Sequence, residues 1–177
     1  VNAMEVHIDH ELTSIIGRRQ PTARDLRLLV AISRGIANLE RAGDEATRIA
    51  RMVLRIIQSS SARSLPSKEL HVAARLASDL LRKSLDAFAR LDMRMALEII
   101  KADDLIDEEY DGFLRKLVTY MMEDPRTITP SLDLLFIAKS IERIGDHSKN
   151  LAECVIYIVS GLDARHTPVH DIQSQPG

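Results

Sequence analysis

The stretch ERIGDHSKN, residues 142 to 150, carries two carboxylates, Glu142 and Asp146, at a spacing that puts both on one face of a helix, with Gly145 between them. A like-charge pair at that spacing costs a few tenths of a kcal/mol, and a mid-helix glycine roughly 1 kcal/mol against alanine. A cation facing the two acids would offset the repulsion, and the glycine would leave room for it. The same pattern occurs earlier in ERAGDEATR, where Glu40, Arg41, Gly43 and Asp44 match Glu142, Arg143, Gly145 and Asp146 when 102 is added to each number. Ala50 and Val53 match Ala152 and Val155 in the same register. The chain therefore reads as two copies of one unit.

A third set of acids lies in the segment from 93 to 123. Leu97, Ile100, Asp104, Asp107, Asp111, Leu114, Val118 and Met121 step by three and four, placing carboxylates inside an otherwise apolar stripe, with Asp103 and Glu108 beside it. Carboxylates that lose solvation and repel one another need protons, Arg or Lys partners, or a cation. The bland alternative is a wet face at a bundle end, with Arg143 or Lys149 pairing to Asp146. The metal reading places Asp103 and Asp107 opposite Glu142 and Asp146. Oxygen donors without a nearby Cys or a placed His suit Mg, Ca, Mn or ferric iron better than structural zinc. No Glu has a His three residues on, as a di-iron oxidase bundle would require, and there is no nucleophile elbow, P-loop or Cys-x-x-Cys. No catalytic residue is assigned.

These acids need helices to hold them. From Leu134 the residues Leu134, Ile137, Ile141, Ile144, Ser148, Leu151, Val155 and Ile158 form a helical seam; subtracting 102 gives Ile32, Gly35, Leu39, Ala42, Ala46, Ile49, Val53 and Ile56. Thr22 with Asp25, and Thr129 before Pro130, are the expected starts of these two long helices. Further helices are expected at about Asn2 to Arg19, Ser67 to Arg90 and Met93 to Glu123, the last capped by Asp92. SSSARSLPS reads as a linker. The expected organisation is all-α: a first repeat over 1–58, a linker over 59–67, a second repeat over 68–161, and a mobile tail over 162–177. Val1 enters a helical pattern with no cap ahead of it, so the first bundle is expected to lack its first helix. Ile32, Leu39, Ile49 and Val53 would then be partly uncovered and would bury against a second copy, a homodimer.

With 45% hydrophobic residues in 177, the chain can build a real core. A net charge of −2 with interspersed signs, and no Trp, disfavours nucleic-acid binding. No apolar run reaches the roughly 20 residues of a membrane span. Cys154 is alone, which fits a reducing compartment and a small core residue.

The two E-R-x-G-D motifs, with QPTARDLR at 20 to 27, YMMEDPRTI at 120 to 128 and SIERIGDH at 140 to 147, resemble the PhoU proteins, bacterial accessory regulators of phosphate transport. The likeness runs from Val1 to about His166. It implies two tandem three-helix bundles and metal sites on the pairs Glu40/Asp44, Glu142/Asp146 and Asp103/Asp107, with Asn150 one turn beyond. Val1-Asn2 stands as the counterpart of Ile106-Asp107, making Asn2 a weaker donor in the first copy, where Arg48 replaces Asn150. Mg, Mn or Fe would be the ion. The implied role is a cytoplasmic, non-enzymatic regulator that represses the phosphate-starvation response. It would couple the ATPase subunit of the phosphate ABC transporter to a phosphate-sensing histidine kinase, meeting the membrane only through these partners. The alternative is a metal-dependent enzyme or metal-storage bundle using the same acids.

Overall fold

The computed structural model describes residues 2–58 and 66–164; the side chain of Asn2, most of the expected linker and nearly all of the expected tail lie outside the described residues. Five α-helices follow one another: α1 (Asn2–Arg19), α2 (Ala23–Gln58), α3 (Lys68–Arg90), α4 (Met93–Glu123) and α5 (Ile128–Ser160). No strand occurs among the described residues, as the all-α reading expects.

Helix α5 is the axis of the molecule. Its seam holds the expected residues: Leu134, Ile137, Ile141, Ser148, Leu151, Val155 and Ile158 are buried, and Ile144 packs against the core. Helices α3, α4 and α5 form a three-helix bundle around Leu70, Ala73, Ala77, Ile99, Ile106, Phe113, Leu117, Leu134, Ile137 and Ile141. Helix α2 runs antiparallel to α5 on another side. Arg34 stacks over the Tyr157 ring, Asn38 reaches Asn150, Glu45 reaches Ser140, and Arg55 pairs with Asp133. Helix α1 lies against α2, where the Ser33 hydroxyl donates to Asp9.

Local signals set most helix ends. Asp92 caps α4 by accepting from the Met95 N–H, and Gly161 closes α5 in the left-handed conformation at φ 78°. Two expectations need correction. Thr129 does not cap α5: a 3₁₀ turn over Pro125–Thr127, capped by Asp124, feeds directly into a helix beginning at Ile128. Pro130 therefore sits in the first turn, where its missing N–H costs nothing. The apolar stripe of α4 is also rotated by about one residue from the expected one. Its buried face is Ala96, Ile99, Ile100, Asp103, Ile106, Phe113 and Leu117, whereas Asp104, Asp111 and Val118 face solvent. Both registers contain steps of three and four, but only the true one brings Ile99, Ile106, Phe113 and Leu117 inside.

Candidate acid site between two helices

Gly145 answers the question posed by its position. A Cβ there would lie 3.0 Å from Ile106 Cδ1 and 3.1 Å from Asp103 Oδ1, so the glycine lets the backbone of α5 close on α4 at Asp103. The room expected for an ion is filled by these two side chains. Asp103 is buried at 1% exposure, and its Oδ2 faces the Lys149 ammonium at 3.0 Å without an aligned hydrogen bond. One turn back on α5, Lys139 Nζ donates to Glu142 Oε1 at 2.6 Å and lies over the Tyr110 ring, while Glu142 Oε2 is buried with no hydrogen-bond partner.

Asp103, Asp107, Glu142 and Asp146 share one patch between α4 and α5, close enough to perturb one another. Partial burial first, then the charges of Glu142, Asp103 and Asp107, push the Asp146 carboxyl up to about 6. Burial and the neighbouring Asp103 and Glu142 likewise raise Asp107. Burial opposes the charge of Lys149, but the close contact with the Asp103 carboxylate, with the charges of Asp104 and Glu153, outweighs it and holds the ammonium above its ordinary value. The Glu142 hydrogen bond raises Lys139 in the same way. Four carboxylates thus meet two ammonium groups, and the residual repulsion falls on Asp107 and Asp146.

The remaining candidates lie elsewhere. Asn150 points away from the acids and donates to Asn38 Oδ1, which also accepts from His147 Nδ1, so this asparagine joins α5 to α2. Asp44 is exposed and Glu40 half-buried, both on α2, and Asp44 lines a cleft of about 310 Å³ together with Asp146. The backbone of Asn2 opens α1.

Sequence reasoning missed Glu45. This residue, 6% exposed, accepts from Ser140 at 2.7 Å, from Arg143 at 3.1 Å and from Arg48 at 3.3 Å, joining α2 to α5. Burial would raise its pKa, but the hydrogen bonds from Ser140 and Arg143 win and hold it below the ordinary carboxylate value. A signal was present: Arg143, the arginine of the second motif, needed an acid, and Glu45 adjoins Asp44 of the first.

A metal ion fits the chemistry of these donors better than their arrangement. They are hard oxygens of the kind Mg or Mn prefers. Among the described residues, however, no three His, Cys, Asp or Glu side chains stand together as one ion would need, and two lysines already occupy the patch.

These features define a class of protein: an all-helical, internally repeated bundle whose recurring acidic motif lies along its two longest helices, packed antiparallel. The PhoU domain model matches residues 1–53 and 70–155, one match on each side of the expected linker, and the chain belongs to the PhoU family. It is 46% identical over 166 residues to a phosphate-specific transport system accessory protein PhoU homolog of Pseudomonas putida, covering 94% of this chain and 64% of that protein. Against the PhoU accessory protein of Escherichia coli K12 the identity is 48% over 166 residues, covering 94% and 68%. The crystal structure of PhoU from Pseudomonas aeruginosa superposes with a TM-score of 0.88 at 43% identity, covering 91% of this chain and 77% of that one. The PhoU regulatory protein of Streptococcus pneumoniae does so with a TM-score of 0.75 at 27% identity, over 90% and 77%. The chain thus spans somewhat under two thirds of the Pseudomonas putida relative.

Proposed function

We propose that this chain is part of a non-enzymatic regulatory adaptor of phosphate transport, acting in the cytoplasm. It works by docking helix faces on the ATPase subunit of the phosphate ABC transporter and on a sensor histidine kinase, so repressing the phosphate-starvation response. Family membership supports the transport role, and the relatives named above are accessory proteins of the phosphate-specific transport system. No helix among the described residues is long and apolar enough to cross a membrane, in keeping with a protein that meets the membrane through partners.

The observation that favours an adaptor over an enzyme is where the acids lie. Asp107 is exposed and Glu142 and Asp146 half-buried at the outer edge of the α4–α5 contact, whereas the apolar clefts open on the opposite side of α5, between α2 and α3. A catalytic site calls for an enclosed, largely apolar pocket with convergent polar groups. The metal role belongs to the same proposal only in its chemistry: the hard oxygens of Asp103, Asp107, Glu142 and Asp146 suit an ion such as Mg, Mn or Fe, whereas their arrangement among the described residues, with Lys139 and Lys149 in the patch, does not bring three of them together on one ion. The test is co-purification of the intact protein with the transporter ATPase and with the cytoplasmic part of the kinase. Retention of both is expected; retention of neither overturns the adaptor reading.

A further inference from the structure

The arginines of the two E-R-x-G-D motifs meet in one place. Arg41 and Asp44 of α2 and Arg143 and Asp146 of α5 line a single cleft of about 310 Å³, with Arg48 and His147 beside them. Arg41 corresponds to Arg143 and Asp44 to Asp146, so the packing of α2 on α5 brings both copies of the motif to the same opening. Arginine also recurs at every seventh position of α2, at Arg27, Arg34, Arg41, Arg48 and Arg55, a spacing that keeps them on one stripe. Toward its ends the stripe is engaged: Arg55 pairs with Asp133, and Arg34 lies over the Tyr157 ring. Its middle has donors to spare. Arg48 and Arg143 both direct Nη1 to the same oxygen, Glu45 Oε1, and both side chains are about half exposed. A guanidinium carries five N–H donors, so most of theirs remain for a further acceptor. Arg41 is exposed and enters no ion pair among the described residues.

The cleft holds acceptors as well. Glu45 is taken up by Ser140 and the two arginines, but Asp44 and Asp146 carry carboxylate oxygens. His147, whose Nδ1 donates to Asn38, keeps a lone pair on Nε2. Such a mixture discriminates between oxyanions. Sulfate has no hydrogen to give, so the acids that line the cleft would repel it. Hydrogenphosphate offers bare oxygens to the guanidiniums and one O–H to a carboxylate or imidazole, so the same acids favour it. We propose that this cleft binds phosphate in its singly protonated form, with Arg41, Arg48 and Arg143 holding the bare oxygens and Asp44, Asp146 or His147 accepting from the O–H. The site goes beyond the adaptor reading, which needs no bound anion. Because α2 and α5 both line it, an occupant ties the two repeats together, as Glu45 does, and stabilises the fold by mass action.

The test is titration of the intact protein with inorganic phosphate and, separately, with sulfate, at constant ionic strength and near neutral pH, followed by calorimetry and by melting temperature. Phosphate should bind one to one and raise the melting temperature. Sulfate should bind about tenfold more weakly, the cost of an acid left facing an anion without a shared hydrogen. Arg41→Gln and Arg48→Gln should each weaken phosphate binding about tenfold, as expected for the loss of one charge-assisted hydrogen bond. Arg94→Gln, which removes an equally charged and more exposed arginine from α4, should leave it unchanged. No phosphate binding by the wild-type protein, or equal affinity in wild type and Arg41→Gln, overturns the site. Equal weakening by Arg94→Gln does so too, since it would mean attraction to the surface as a whole. Equal affinity for sulfate and phosphate overturns the part assigned to the acids.

Discussion

The same seam runs through α2 and α5, yet the two helices are covered differently. On α5, Ala152, Val155 and Ile156 are completely buried, in one core with Ala96, Ile99 and Ile100 from the start of α4. In the 102-residue register their counterparts on α2 are Ala50, Val53 and Leu54. Ala50 is exposed, Val53 is 39% and Leu54 57% exposed, and Ile57 beyond them is 67% exposed. Of the residues expected to lack cover, Ile32, Leu39 and Ile49 are half-buried and Val53 is the open one. The difference lies in the neighbours, since the side chains are of one kind. Burial energy belongs to a pair of surfaces, and a repeat in sequence guarantees only one of them.

Substitution can break this comparison most visibly at Ile156 and Leu54. Ile156→Ala should cost about 3 kcal/mol, because it opens a cavity in a sealed core, whereas Leu54→Ala should change stability by less than about 0.5 kcal/mol. Urea midpoints of the two variants check it; equal losses would mean that the face of α2 is covered in solution, as a homodimer would cover it.

Next in size is the contact between the repeats. Glu45 occupies the position that corresponds to His147 and joins the copies through Ser140 and Arg143. Glu45→Ala should cost roughly 2–3 kcal/mol by leaving Arg143 and Ser140 without their acceptor. Hydrogen exchange should show the loss in α2 before it appears in α3 or α4.

Gly145→Ala sets two effects against each other. Alanine gains about 1 kcal/mol of helix propensity, but its Cβ would press on Ile106 and Asp103 at 3.0 and 3.1 Å. The flexible end of Ile106 can give by a few tenths of an ångström; the Asp103 oxygen, held by Lys149, gives less. A net loss of about 1 kcal/mol is expected. A stabilised variant would show that the close approach is looser than the distances imply.

The smallest effect is in pH. Asp146 titrates at about 6 in the fold, raised from 3.8 by burial and by its acidic neighbours. A carboxyl raised in this way favours the fold while protonated; that contribution is full below about 4 and is lost as pH rises through about 6. Asp146→Asn should flatten melting temperature against pH between 4 and 6.5 and be the more stable protein at pH 7.5. Glu45 has the opposite sign: its lowered pKa contributes above the unfolded value and is lost as pH falls through the folded one. Parallel curves for wild type and Asp146→Asn would place Asp146 outside the repulsive patch.

The sequence by itself determined the helices, the duplication and the α5 seam, because the repeating step of three and four residues, the Asp92 cap and the terminal Gly161 act within a few residues of where they stand. It also placed four acids that do meet, since Glu142 and Asp146 share a helix face by geometry alone. It did not decide which side of α4 turns inward: two registers one residue apart both look amphipathic, and only packing against α3 and α5 selects Asp103 over Asp104. Nor did it reveal that Lys149 and Lys139 answer the acids, that Asn150 turns to Asn38, or that Glu45 is buried beneath Arg143. Except for Lys139, which lies three residues from Glu142 on its own helix, those partners sit tens of residues away. Which ammonium reaches which carboxylate depends on how far apart the packed helices stand, and that distance is set here by a glycine closing on an isoleucine and an aspartate.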